Sequence, residues 1–170
     1  MMQAAQTDSA APVIRPAGMQ DAEFICRLMN CPPVLHALNE VPTELQDWTD
    51  AVGEWLLDDD EEDYIVLLNN TPAGWIGING LLGRDRTAYI KMAAFLPEYQ
   101  GRGYGSSVLQ SLLQSLKDRG VEKVLLYTDR DNARAQKCYQ KCGFRITKSL
   151  TETMSNGKEV PRVIMESVLR

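Results

Sequence analysis

Three glycines at alternate positions, Gly101, Gly103 and Gly105, interrupt the chain between two strongly patterned stretches. Before them, Thr87 to Leu96 reads as a strand that ends at Pro97. After them, Val108, Leu109, Leu112, Leu113 and Leu116 form one helical stripe within Gly105 to Arg119, and Gly120 marks its end. The backbone must turn sharply between the two, and glycine does so without a Cβ penalty. The first-turn N–H groups of the helix point outward unsatisfied, and its dipole adds positive potential. Together they make an anion site suited to a pyrophosphate. A glycine-rich turn that serves geometry alone is the other reading of the same residues.

Two familiar phosphate loops fail here. A P-loop needs a lysine after its second glycine, and none is present. A dinucleotide fingerprint needs G-x-G-x-x-G early in a βαβ unit, whereas the spacing is Gly101-x-Gly103-x-Gly105-Ser106.

The remaining chain reads as one domain, as its 170 residues suggest. Residues 1–12 are small, polar and unpatterned, a loose N-terminus without a secretory signal, and 13–170 form the folded domain. Val13-Ile14-Arg15 reads as a short strand. Gly18 to Met29 reads as a helix capped by Asp21 and stopped by Cys31-Pro32-Pro33. A second helix opens at Pro42-Thr43-Glu44 with Thr43 as N-cap, striped by Leu45, Trp48, Val52, Trp55 and Leu56. The acidic run Asp58 to Asp63 lacks the alternation and central glycine of a calcium loop and reads as a solvated, self-repelling turn. An antiparallel meander follows over Tyr64–Leu68, Ala73–Ile78 and Thr87–Leu96. Beyond the glycine loop and its helix come a strand over Val121–Thr128 and a helix over Asn132–Cys142. A closing hairpin spans Phe144–Thr153 and Val160–Val168. The run Val124-Leu125-Leu126 predicts burial on both faces. The fold class is α/β (α+β) with a mixed sheet flanked by helices.

Charge and cysteine usage exclude several functions. A net charge of −5 argues against a phosphate-backbone grip on nucleic acid. No stretch is long and apolar enough for a membrane span. Cys26, Cys31, Cys138 and Cys142 are expected to be reduced thiols of a cytoplasmic protein. With the single His36 they give no usual zinc spacing, so no metal is expected. Cys138 and Cys142, four apart, are expected on the apolar face of a helix.

The glycine segment does match another pattern. Gln100-x-x-Gly103-x-Gly105, after Leu96-Pro97-Glu98-Tyr99, resembles the [QR]-x-x-G-x-[GA] signature of the GNAT superfamily of acyl-CoA N-acetyltransferases. Asn132-Ala133-Arg134-Ala135, with Tyr139 and Gly143-Phe144, is similar to that family's N-x-x-A…Y…G-F segment on the helix after the next strand. The specific motifs lie between Phe95 and Phe144, and the element order fits from Val13 to Val168.

The resemblance implies a sheet splayed between its fourth and fifth strands, with the pantetheine arm of acetyl-CoA in the gap. It implies cofactor contacts from Phe95, Leu96, Pro97 and Gln100 at the strand end, and from Arg102, Gly103, Tyr104, Gly105 and Ser106 at the pyrophosphate. The Phe95 N–H is the implied oxyanion donor. The Arg102 side chain either adds charge or faces solvent. Asn132 bonds the arm, caps its helix, or does both. Tyr139 contacts the cofactor and is the implied acid for the departing thiolate.

The residues offer more than one candidate for the general base. Many relatives carry a glutamate on the strand that ends at the proline, but Tyr89-Ile90-Lys91-Met92-Ala93-Ala94-Phe95 has no carboxylate. Asp129, Tyr89 or a water chain are the candidates, and Lys91 reads as a solvated strand residue. Acids and tryptophans in the first two helices either hold a cationic acceptor or form an ordinary amphipathic surface. The implied function is transfer of an acetyl group from acetyl-CoA to a primary amine, small-molecule or peptide, by direct attack in a ternary complex. The alternative is a non-catalytic acetyl-CoA-binding module. A monomer or homodimer is expected.

Overall fold

Strand alternation and helical stripes sort the chain into one seven-stranded sheet with helices on both faces. A computed structural model describes residues 10–169. Most of the loose N-terminus expected over 1–12, residues 1–9, therefore lies outside the described residues. Val13–Pro16 (β1) pairs antiparallel with Glu62–Leu68 (β2), which turns through Asn69 and Asn70 into Thr71–Asn79 (β3). Both asparagines take positive φ, 49° and 63°, in the turn expected there. Thr87–Phe95 (β4) follows, then Lys123–Asp129 (β5), Arg145–Thr153 (β6) and Glu159–Val168 (β7). The order across the sheet is β1-β2-β3-β4-β5-β7-β6. Every neighbouring pair is antiparallel except β4 and β5.

The helices are Ala22–Met29 (α1), Pro32–Leu38 (α2), Leu45–Leu56 (α3), Tyr104–Asp118 (α4) and Ala133–Lys141 (α5). Side chains of a strand alternate between faces, and β3 feeds two cores in this way. Trp75 joins Ile25, Leu28, Val52 and Ile65 beneath α1 and α3. Ile76 and Ile78 join Val108, Leu112 and Leu116 of α4, with Val124 and Met165. Ile25, Leu28 and Leu116 are fully buried, so truncating any of them to alanine costs about 2–5 kcal/mol.

Several local expectations give way to tertiary structure. The proline pair ends the first helix, but Pro32 also opens α2, because proline's missing N–H is no loss at a first helical position. Glu44, not Thr43, stands at the N-cap of α3, and no side chain caps it. The Thr43 amide is instead taken by Asn30 Oδ1 at 2.9 Å. Asp21 holds the N-cap position of α1, yet its carboxylate accepts from both guanidinium nitrogens of Arg15 at 2.8 Å and from the Gly18 amide.

The acidic run is not a solvated turn throughout. Asp60 accepts from the Gly80 and Leu82 amides. Glu61, Glu62 and Asp63 are ion-paired, to Lys91, Arg119 and Lys91 respectively. Leu125 is half-buried where burial on both faces was expected, because it lines a cavity at the sheet.

Candidate active site

The parallel pairing of β4 and β5 lasts four residues, from Thr87↔Lys123 to Ile90↔Leu126. Its end coincides with a bulge. Against β3, Met92 pairs with Gly77 and Ile90 with Ile78, leaving Lys91 as the extra residue. A bulge bends its strand and ends pairing locally. From there β4, still paired with β3, runs along one side of a cavity of about 1130 Å³, with Leu125 to Asp129 of β5 on the other.

The backbone of β4 faces this gap with free groups. Leu96 N donates to Ala73 O at 2.9 Å, across to β3. Antiparallel ladders alternate, so the Phe95 N–H and C=O point the opposite way, into the gap. The Phe95 carbonyl is taken by Gln100 Nε2 at 2.8 Å. Arg134 Nη2 in turn donates to Gln100 Oε1 at 3.2 Å, tying α5 to the glycine loop. The Phe95 amide is left facing the cavity.

The glycine loop has the expected geometry. Gly101 and Gly103 have φ of 72° and 83°, where side-chain-bearing residues are strained. Gly103 is the N-cap of α4 and no side chain caps the helix. The first helical bond runs from Ser107 N to Gly103 O at 3.1 Å, so the preceding amides have no intrahelical partner. A Cβ on Gly103 would meet nothing within 4 Å, which places that backbone at open space.

Phe95, Gln100, Gly103, Gly105, Ser106, Asn132, Tyr139 and Asp129 all line the one cavity. Leu96, Pro97, Arg102 and Tyr104 lie outside its lining. Leu96 packs into the core under α1, and Arg102 is exposed. Asn132 caps α5, its Oδ1 accepting from Ala135 N at 3.1 Å. Tyr139 packs edge-on against Phe144 with ring centroids 5.9 Å apart. Burial, more than the neighbouring Cys138 and Cys142 thiols, pushes its phenol up to about 12, so the hydroxyl keeps its proton. Cys138 and Cys142 are half-buried. Cys138 Sγ lies 3.3 Å from Ser106 Oγ and Cys142 Sγ donates to the Ser106 carbonyl. Among the described residues no group of three or more His, Cys, Asp or Glu is placed to hold a metal.

The other end of the cavity joins Asp129, a candidate from the sequence, to Asn39, Arg162 and Glu152, which sequence reasoning passed over. Asp129 Oδ1 lies 3.3 Å from Arg162 Nη1, its cross-strand partner on β7. Its Oδ2 accepts from Asn39 Nδ2 at 3.3 Å. Arg162 Nε lies 3.6 Å from Glu152 of β6 and is buried without a hydrogen bond. Glu40, after α2, accepts from Ser155 of the β6–β7 turn. Asn39 and Asp129 are 90 positions apart and Glu40 and Ser155 are 115, so no local pattern links them.

The tryptophans of the second sequence helix form a core rather than a cavity wall. Trp48, Trp55 and Trp75 pack on one another, Trp55 and Trp75 stacked at 4.9 Å and 17°. The cation they hold is the chain's own: Lys91 Nζ lies 3.8 Å from the Trp55 ring centroid. Lys91 is thus largely buried, not a solvated strand residue.

A model of the acetyltransferase (GNAT) family matches residues 23–144. N-alpha-acetyltransferase 30 of Schizosaccharomyces pombe is 34% identical over 83 residues, 49% of this chain and 55% of that protein. Mycothiol acetyltransferase of Corynebacterium aurimucosum is 43% identical over 49 residues, 29% of this chain and 16% of that one. The matches thus span about half the length of the first relative and less of the second. Spermidine N-acetyltransferase from Vibrio cholerae, solved with CoA and spermine, superposes with a TM-score of 0.84 at 21% identity, covering 93% of this chain and 95% of that one. The splayed β4–β5 pair belongs to a fold shared over nearly the whole domain, and the family model covers most of the chain: the protein is a member of the acetyltransferase (GNAT) family.

Proposed function

We propose that this chain is an acetyl-CoA-dependent N-acetyltransferase that acts on a primary amine by direct attack in a ternary complex. The observation that carries the reading is one cavity bounded by the unpaired amide of Phe95, the uncapped start of α4 and the Tyr139 phenol. These groups fit the donor. The free edge of β4 offers backbone partners to an amide-bearing arm. The amides from Gly103 to Ser106, with the helix dipole, suit its pyrophosphate. Bound there, acetyl-CoA supplies an activated thioester.

The chain's own residues then account for the chemistry. The Phe95 N–H donates to the thioester oxygen as negative charge grows on it. Tyr139 donates a hydrogen bond to the departing sulfur. A buried phenol holds its proton more tightly than a thiol does, so this bond stabilises the thiolate without requiring full transfer. The Asp129 carboxylate is engaged by Arg162 Nη1 and by Asn39 Nδ2. Its proposed role is therefore to orient the acceptor amine, and the acceptor enters from the end where Glu40, Asp129 and Glu152 stand. The acceptor is a small-molecule or peptide amine.

Turnover of acetyl-CoA with spermidine, an amino sugar and a short peptide, followed by thiol release, tests the reading. Acetylation of any of them supports it. Tight acetyl-CoA binding with no turnover across the panel would favour a non-catalytic binding module.

A further inference from the structure

Helix α2 stops at a residue whose backbone and side chain do separate things. Asn39 leaves the helix at φ 54° and ψ 39°, the left-handed conformation. Its N–H donates to His36 O at 3.3 Å, and the Glu40 N–H donates to Leu35 O at 3.1 Å, the pair of bonds that closes a Schellman ending. Glycine is the residue most often found there, because it has no Cβ penalty, and asparagine is found less often. The side chain that asparagine adds reaches across to β5. Asn39 Nδ2 donates to Asp129 Oδ2 at 3.3 Å, 90 positions away in the sequence.

The same residue is tied to the turn between β6 and β7. The Asn39 carbonyl accepts from the Asn156 N–H at 3.3 Å, and its Oδ1 accepts from Asn156 Nδ2 at 3.5 Å. Ser155 Oγ, which donates to Glu40, accepts from the Val41 N–H at 3.2 Å. Leu38 and Glu40 line the cavity on one side of this junction, and Glu152 and Met154 line it on the other. Asn39 is half-buried where the two walls meet.

We propose that Asn39 is the positioning residue of the acceptor site: by holding one oxygen of Asp129, it aims that carboxylate at the acceptor ammonium. The inference rests on the N-acetyltransferase reading above, with Asp129 as the group that meets the amine. Asp129 Oδ1 lies 3.3 Å from Arg162 Nη1 and Oδ2 takes the Asn39 amide, so one partner on each oxygen fixes the plane of the carboxylate. A carboxylate has about four acceptor positions, so lone pairs remain on both oxygens for an ammonium. Asp129 lines the cavity and Asn39 does not, so Asn39 acts on the acceptor through Asp129. A neutral amide suits this task. A second cation in its place would compete with the acceptor for the carboxylate, whereas the amide orients it and leaves its charge for the ligand.

Asn39→Gly isolates the side chain, because glycine keeps the left-handed backbone and the carbonyl that accepts from Asn156. With spermidine or whichever panel amine the wild type acetylates, KM for the amine should rise ~10-fold, as expected for the loss of one hydrogen bond to a charged group. Turnover at saturation and acetyl-CoA affinity by calorimetry should stay nearly unchanged. In an Asp129→Ala background, Asn39→Gly should raise KM no further, because the group it aims is gone. A merely structural Asn39 would give the same fold-change in both backgrounds, so additivity overturns the proposal. An unchanged KM in Asn39→Gly, or an equal loss of kcat and acetyl-CoA affinity, overturns it as well. Calorimetric titration of the amine into the CoA complex reads the same cycle without turnover. A wild type that binds an amine in this titration but acetylates none overturns the N-acetyltransferase reading and leaves the binding cycle to decide the role of Asn39. A wild type that binds no amine overturns both.

Discussion

The side chain of Gln100 holds the backbone of Phe95: its Nε2 donates to the Phe95 carbonyl at 2.8 Å, while its Oε1 accepts from Arg134. One residue thus joins the open end of β4, the glycine loop and α5. It also consumes the one backbone acceptor of Phe95 that would otherwise compete for a donor in the gap, leaving the amide as the group presented there. Gln100→Ala is expected to leave the fold intact and weaken acetyl-CoA binding ~10-fold, the value of one to two hydrogen bonds. Calorimetric titration checks this, and an unchanged affinity would show that the link has no part in shaping the site.

Gly103 carries the sharpest backbone requirement in the loop. Its φ of 83° costs a side-chain-bearing residue about 1–2 kcal/mol, more if β-branched. Gly103→Val meets no steric obstacle in the free protein, since a Cβ finds nothing within 4 Å. Its cost falls on the backbone conformation and on whatever occupies that open space. Acetyl-CoA affinity should drop by roughly 10²-fold, with far-UV circular dichroism unchanged. Wild-type affinity in a folded Gly103→Val protein would remove the loop from the pyrophosphate site.

Tyr139→Phe tests the leaving-group role. The phenol is buried, protonated and in the cavity, and a hydrogen bond to a charged partner is worth about 1.5–3 kcal/mol. Turnover should fall ~10- to 10²-fold, read where chemistry limits the rate, with acetyl-CoA affinity nearly unchanged. Equal turnover would leave Tyr139 a packing residue.

The elements that position the donor were legible because their signals are local. The strand ending at Pro97, the alternating glycines and the stripe from Val108 to Leu116 lie within some thirty consecutive residues, and each expected element is present within a residue or two. Asn132 at the N-cap of α5 was legible for the same reason. The acceptor end was not. Asp129 meets Asn39 and Arg162, and Lys91 meets Asp63, through sheet registers that no spacing rule gives. The acidic run misled because charge alone suggests solvent. Pairing with Lys91 and Arg119 is a tertiary fact that overrides it. The α2 helix was missed because a proline pair ends one helix and starts another with the same residues.

Asp129→Asn distinguishes an orienting carboxylate from a base. Asparagine keeps the shape and the bond from Asn39 but loses the charge facing Arg162. An orienting role predicts a KM for the amine raised ~10-fold with a modest change in kcat, and a pH–rate profile of unchanged shape. Loss of kcat by ~10²-fold or more, with an altered acid limb, would make Asp129 the base.

Asp63 also sets a pH dependence of stability. Its carboxyl titrates near 7 in the folded protein against an ordinary value of 3.8, because burial penalises the charge. A group raised on folding contributes stability that is fully present below its unfolded value and is lost as pH rises through its folded one. The wild type should therefore lose stability between about pH 4 and 7 on account of this residue. Lys91 acts in the opposite sense: it is lowered to about 8 from 10.5, so its contribution is present above 10.5 and lost as pH falls through 8. Asp63→Asn retains an acceptor for Trp75 Nε1 and leaves Lys91 paired with Glu61. Its melting temperature should match the wild type near pH 4 and exceed it from pH 7 to 8. A difference that does not grow across that range would mean that Asp63 is ionised in the folded protein at ordinary carboxylate pH, and that the ammonium of Lys91 outweighs its burial.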